Sequence, residues 1–112
     1  MHLVREGQIK FKNDKEFQIF EKLRESKSGG GLAIGALNSL NPVWIGDGGS
    51  KVEAISIQIS VYNMKIRVVN AYGPQEYDEF QKKTDFWTFL DNEFYMSECE
   101  GTGFILSMDS NS

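Results

Sequence analysis

Ile66-Arg67-Val68-Val69-Asn70-Ala71-Tyr72-Gly73-Pro74, then a long stretch from Phe80 onward, then Phe104-Ile105-Leu106, together decide the fold. Ile66, Val68, Val69 and Ala71 make an apolar strand, and Gly73-Pro74 ends it, because proline has no amide to give to a ladder. From Phe80 onward Trp87, Leu90 and Phe94 recur at helical spacing, and Phe86 and Phe89 widen the apolar stripe. Lys82, Lys83, Asp85, Asp91 and Glu93 occupy much of the remaining surface. Asp78 or Thr84 could cap the start of this helix, and Glu100-Gly101-Thr102-Gly103 stops it. Phe104-Ile105-Leu106 reads as a short buried strand leading to Met108-Asp109-Ser110-Asn111-Ser112. A strand–helix–strand unit gives parallel neighbours joined by a right-handed crossover. Ligands in such sheets gather beyond the carboxyl ends of the strands. Asn70 to Pro74 and Asp109 to Asn111 are therefore expected at one edge.

Working back toward the N-terminus, Val52, Ala54, Ile55, Ile57 and Ile59 build another strand. Its partners Glu53, Ser56, Gln58 and Ser60 predict one half-wet side, although Ala54-Ile55 breaks strict alternation. Tyr62-Asn63 is the turn, short enough to make an antiparallel hairpin. Asn38 to Ser50 contains Asn41-Pro42 and Asp47-Gly48-Gly49 and reads mostly as loop, with Asp47 as a turn residue. Leu32 to Leu37 is an apolar run consistent with a buried strand, preceded by the breaker Ser28-Gly29-Gly30-Gly31. Lys22 to Lys27 reads as a solvated face or loop. Phe17 to Leu23 fits two patterns: Phe17 and Ile19 suit a strand, Phe20 and Leu23 a helical face, with the strand preferred. Gln8 to Lys12 alternates as a short strand, and Asn13-Asp14 is a plausible turn.

The chain has 112 residues, which suits at most one domain. Fourteen aromatic residues (eight Phe, four Tyr, two Trp) argue against disorder. Twelve basic against sixteen acidic residues give a net charge of −4, so the chain does not hold nucleic acid by bulk electrostatics. Phosphate chemistry stays open, because local groups and a bound metal can dominate a site. Cys99 stands alone, so neither an intramolecular disulfide nor a zinc cluster with His2 can form. No apolar run approaches transmembrane length, and the first residues carry no secretory pattern. The expected location is intracellular, nucleus or cytoplasm unresolved, with no membrane partner.

Asp109 and Asn111 alternate at the end of an apolar strand, so both can face one side. A carboxylate there can orient or deprotonate water or help hold a hard cation. A neighbouring amide can donate to a phosphate oxygen, and the Tyr72 phenol supplies a further donor. Against this, Asp and Asn are common strand-end turn residues, and Asn70 can satisfy strand-edge backbone groups. The Gly29-Gly30-Gly31 run lacks the Gly-Lys-Ser/Thr of a phosphate loop, and no dinucleotide fingerprint is present. With a single, near-terminal histidine, no Ser-His-acid or Cys-His arrangement is credible.

Three segments in order, Gly29-Gly30-Gly31-Leu32-Ala33-Ile34, Val69-Asn70-Ala71-Tyr72-Gly73-Pro74 and Phe104-Ile105-Leu106-Ser107-Met108-Asp109-Ser110-Asn111, with Phe86-Trp87-Thr88-Phe89-Leu90 between the last two, resemble the central part of the endonuclease/exonuclease/phosphatase superfamily. The nearest resemblance is to the endonuclease domains of non-long-terminal-repeat retrotransposons and proteins derived from them. It runs from about Phe17 to the end. The resemblance implies an incomplete piece of a four-layer α/β sandwich with mixed sheets. It implies hydrolysis of phosphodiester or phosphomonoester bonds with Mg2+ or Mn2+, and nucleic acid, DNA ahead of RNA, as the partner of a complete parent. By the same resemblance Tyr72 is similar to the tyrosine that contacts the scissile phosphate. Asp109 is similar to the aspartate that orients or activates water, and Asn111 to the asparagine that supports it. Asn70 matches the motif asparagine, in a structural role.

The family commonly shows Gly-Asp-Phe-Asn where this chain has Met108-Asp109-Ser110-Asn111, with Asp and Asn in register. The resemblance further implies an N-terminal strand ending in Asn, a metal-binding Glu, a later Asp and a terminal Asp-His pair. These 112 residues do not include them, and Glu6 and Glu16 lack the matching context. The expectation is a partial domain over 1–112, inactive alone. Two other readings stand beside it. One is a catalytically inactive transposon-derived remnant serving as a scaffold or binding protein for an unknown protein partner. The other is a small unrelated α+β domain.

Overall fold

The computed structural model describes residues 2–4, 9–13, 16–23, 31–49, 52–74 and 78–109. The fold is mixed α/β. Strands β1 (His2–Val4), β2 (Ile9–Asn13), β3 (Phe17–Leu23) and β4 (Gly31–Leu37) form an antiparallel sheet in sequence order. Strands β5 (Val43–Gly48), β6 (Val52–Val61), β7 (Met64–Tyr72) and β8 (Gly103–Asp109) form a second sheet in the same simple order. Helix α1 (Phe80–Glu100) connects β7 to β8, which run parallel as the strand–helix–strand reading requires. The β6–β7 hairpin is antiparallel and turns at Tyr62-Asn63, and Phe17 to Leu23 is a strand.

The described residues stack as sheet, sheet and helix, with the second sheet in the middle. Between the sheets, Phe20, Ala36 and Ile57 are buried, and Ile34, Trp44, Ile59 and Val68 pack against them. Phe20 and Trp44 stack with ring centroids 6.0 Å apart. Between sheet and helix lie Val52, Ala54, Val69, Ala71, Phe86 and Leu90, with Phe89 and Phe104 against them. Each large side chain removed from water contributes about 1.5–3 kcal/mol.

The middle position of the second sheet explains the broken alternation of β6. Ala54, Ile55, Ser56 and Ile57 are all fully buried, because one side of β6 meets the first sheet and the other meets α1. Of the residues expected on a half-wet side, Glu53, Gln58 and Ser60 are half-buried as expected, and Ser56 alone is covered, held by a hydrogen bond of 2.8 Å to Glu93 on the helix.

Asn38 to Ser50 is more regular than its Gly and Pro content predicts. Asn38–Leu40 is a 3-10 turn and Val43–Gly48 is a strand, β5. The pairing of β5 with β6 slips twice, between Trp44 and Gly46 and between Asp47 and Gly48. A Cβ on Gly48 would fall 2.4 Å from the Val52 Cβ and 2.7 Å from its carbonyl oxygen, so this strand passes there only as glycine.

Helix α1 departs from expectation at its start and on its buried face. Neither Asp78 nor Thr84 caps it. Glu79 occupies the cap position without a side-chain hydrogen bond, and Asp78 pairs with Lys82 at 3.6 Å. The buried positions are Phe86, Leu90 and Ser97, whereas Trp87 and Phe94 are about half exposed. The end is as predicted. Gly101 takes a left-handed φ of 69°, its amide bonds Glu98 O, and the Thr102 amide bonds Ser97 O at 3.0 Å, a paired C-terminal closure. Phe104-Ile105-Leu106 is a strand but not a buried one, since Ile105 is 50% and Leu106 40% exposed. Among the described residues no helix is long and apolar enough to cross a membrane.

Candidate functional site

The parallel register of β7 and β8 sets the site. Tyr72 is the Cα partner of Asp109, Ala71 of Met108 and Asn70 of Ser107. Two segments far apart in sequence thus end side by side, at the carboxyl ends of two parallel strands. Hydrogen-bonded strands lie about 4.8 Å apart. Tyr72 and Pro74 are half buried and Gly73 is buried, so the edge is partly enclosed on the β7 side. Asn111 lies outside the described residues, as do Gly29, Gly30 and the segment from Arg24 to Lys27.

Asn70 has a defined partner. Its Nδ2 donates to the carbonyl oxygen of Ala33 on β4 at 2.9 Å. This bond ties the strand that carries Tyr72 to the other sheet. Alternation along β7 explains how. Val68 and Asn70 face the first sheet, while Arg67, Val69 and Ala71 face the helix. By the same alternation Tyr72 shares a side of the sheet with Asn70.

Two buried charged groups around this framework were not foreseen. Lys22, expected on a solvated face or loop, is buried in β3. Its Nζ donates to the carbonyls of Gly49 and Val52 at 2.6 and 2.9 Å and lies 3.2 Å from Asp47 Oδ2. Asp47 is accordingly a strand residue in an ion pair, not a simple turn residue. Arg67 is buried in β7, where its Nε donates to Glu93 Oε1 at 2.9 Å and its Nη1 to Glu100 Oε1 at 3.3 Å. Glu93, expected on the wet face of the helix, therefore faces the sheet. Both clusters satisfy their own donors, as buried charges must. They hold the layers together.

The sequence did carry a signal for the second cluster. Arg67 occurs in step with Val69 and Ala71, so strand period alone puts it on the helix side. Glu93 lies three positions after Leu90 and seven after Phe86, on the same helical face. No comparable signal announced Lys22, because its partners come from a different sheet.

Among the described residues no three His, Cys, Asp or Glu side chains come together in a way that could hold a metal ion. These residues do not by themselves form the magnesium or manganese centre that the resemblance implies. Searches against known protein families, curated proteins and solved structures returned no match to this chain.

Proposed function

We propose that this chain forms the central part of a metal-dependent phosphoesterase that hydrolyses phosphodiester bonds in nucleic acid, DNA ahead of RNA. The observation that supports this reading is the register of Tyr72 with Asp109 at the carboxyl edge of a parallel pair. In this reading the Asp109 carboxylate orients the attacking water and accepts its proton as the water oxygen bonds to phosphorus; the ester P–O bond breaks and the departing oxygen takes a proton from solvent. Asn111 supports that carboxylate and donates to the phosphate. The Tyr72 phenol donates to a non-bridging phosphate oxygen. Asn70 fixes β7 against β4 and acts by positioning. In this reading the three layers described belong to a four-layer sandwich, and Mg2+ or Mn2+, held by a complete parent domain, would offset the charge that develops on the leaving oxygen.

The test is DNA cleavage in magnesium by the natural gene product that contains these residues, compared with its Asp109→Ala form. Loss of about a hundredfold or more in rate is expected for removal of a general base. Undiminished cleavage by Asp109→Ala ends the reading.

A second reading, a non-catalytic transposon-derived remnant acting as a scaffold, is favoured by a different observation. From Thr84 to the end the sequence has six acidic residues and no Lys or Arg, a poor surface for nucleic acid. Metal-independent binding of a protein partner, with Tyr72 and Asp109 both dispensable, would select it.

A further inference from the structure

We propose that Glu53 is a specificity residue of the candidate site, whose charge beside Tyr72 disfavours phosphomonoesters relative to phosphodiesters. The proposal rests on the phosphoesterase reading and deepens it, since the resemblance leaves both kinds of ester open. β6 and β7 pair antiparallel, with Ala54 opposite Ala71 and Ile55 opposite Asn70. One step further along the same register Glu53 stands opposite Tyr72, and both lie within their strands. The start of β6 therefore sits at the carboxyl edge of β7, where Tyr72 meets Asp109.

Alternation puts the two side chains on one side of the sheet. Val52 and Ala54 belong to the core under the helix, so Glu53 between them faces the first sheet. Tyr72 faces the same way, two residues after Asn70, whose amide reaches Ala33 of β4. Directly opposed residues on one side of an antiparallel pair have Cβ atoms about 4.5–5.5 Å apart. Glu53 and Tyr72 are both half-buried, and both are held by contacts within the chain.

Charge then separates the substrates. An internal phosphodiester carries one negative charge. A terminal phosphomonoester carries two once the pH passes its second pKa of roughly 6. A phosphate that accepts from the Tyr72 phenol lies close to the Glu53 carboxylate, and each of its charges is repelled. The repulsion is about twice as large for the monoester dianion as for the diester, and less screened in a half-buried site than in open water. Whatever attracts both substrates to the edge, Glu53 subtracts more from the dianion. A difference of one unit charge at this separation amounts to roughly tenfold in kcat/KM.

The test measures kcat/KM of the natural gene product that contains these residues on a thymidine dinucleotide and on thymidine monophosphate, in magnesium, at about pH 8 and about pH 5. Glu53→Gln and Glu53→Ala are each expected to raise the monoester value roughly tenfold relative to the diester value at the higher pH. The change should largely vanish at the lower pH, where both substrates carry one charge, and Glu53→Asp should keep the natural ratio. Circular dichroism identifies the variants that fold. A ratio unmoved by the neutral variants, or moved equally at the two pH values, overturns the proposal. So does a loss of diester cleavage as large as that of Asp109→Ala, which would make Glu53 part of the chemistry. If the natural protein cleaves neither substrate, or Asp109→Ala cleaves undiminished, the phosphoesterase reading fails by itself and binding decides the charge argument. The neutral variants should then tighten methyl phosphate over dimethyl phosphate roughly tenfold at about pH 8, read at the Tyr72 amide, and no tightening overturns it.

Discussion

Lys22 and Asp47 form an ion pair between the two sheets, 3.2 Å apart, with the same ammonium capping the carbonyls of Gly49 and Val52. The Lys22 side chain is 8% exposed and that of Asp47 18%, so neither relies on water. Lys22→Met leaves a largely buried carboxylate without its cation and two carbonyls without their donor. A loss of about 3 kcal/mol is expected in urea unfolding. Asp47→Asn keeps both carbonyl contacts and is expected to cost about 1 kcal/mol. Equal costs for the two variants would mean that the carbonyls contribute nothing.

Arg67 and Glu93 should behave as a unit. Removing either alone strands the other in the helix–sheet interface, and Arg67→Met is expected to cost about 3 kcal/mol or more. The double variant Arg67→Met/Glu93→Met should recover part of that loss, because apolar groups of similar size replace both charges. A double-mutant cycle in chemical denaturation measures the coupling. Strict additivity would show that the pair is not formed.

Asn70 separates structure from catalysis. Asn70→Ala removes the bond to Ala33 and should lower stability by about 1 kcal/mol. In the natural gene product it should reduce cleavage far less than Asp109→Ala does. A cleavage loss as large as that of Asp109→Ala, with stability unchanged, would move Asn70 into contact with substrate.

The β6–β7 turn is not optimal. Tyr62 adopts a φ of 56°, which an L side chain takes at a cost, and its ring is 99% exposed. Tyr62→Gly, with Asn63 kept, puts glycine at the first central position, as a two-residue hairpin turn with positive φ there alone favours. A gain of about 1 kcal/mol is expected, seen as a rise in Tm of roughly 4 °C or more. A fall in Tm would show that Tyr62 makes a stabilising contact.

The elements whose hydrogen bonds are local were legible in the sequence. The β6–β7 hairpin, the closure of α1 at Gly101 and the strand after it follow from alternation, turn residues and glycine. β5 was not legible, because Pro42, Gly46, Gly48 and Gly49 resemble a loop, and only its pairing with β6 through two slips makes it a strand. Lys22 and Glu93 were misplaced for a related reason: a charged residue reads as solvated until a partner on another element is known. Trp87 and Phe94 were assigned to the buried stripe on hydrophobicity, yet the helix turns Glu93 and Ser97 inward, where Arg67 and Thr102 meet them. At the candidate site, the meeting of Tyr72 with Asp109 was foreseeable from the crossover rule, and the bond from Asn70 to β4 was not.

The most direct measurement of the central claim is an amide chemical-shift map of the natural gene product that contains these residues, with a cleavage-resistant phosphorothioate dinucleotide in magnesium. The account predicts the largest shifts at Tyr72, Gly73, Met108 and Asp109, the two strand ends that meet in register, with Asp91 and Glu98 unmoved. No shift at these strand ends, or shifts centred on another surface, would contradict it.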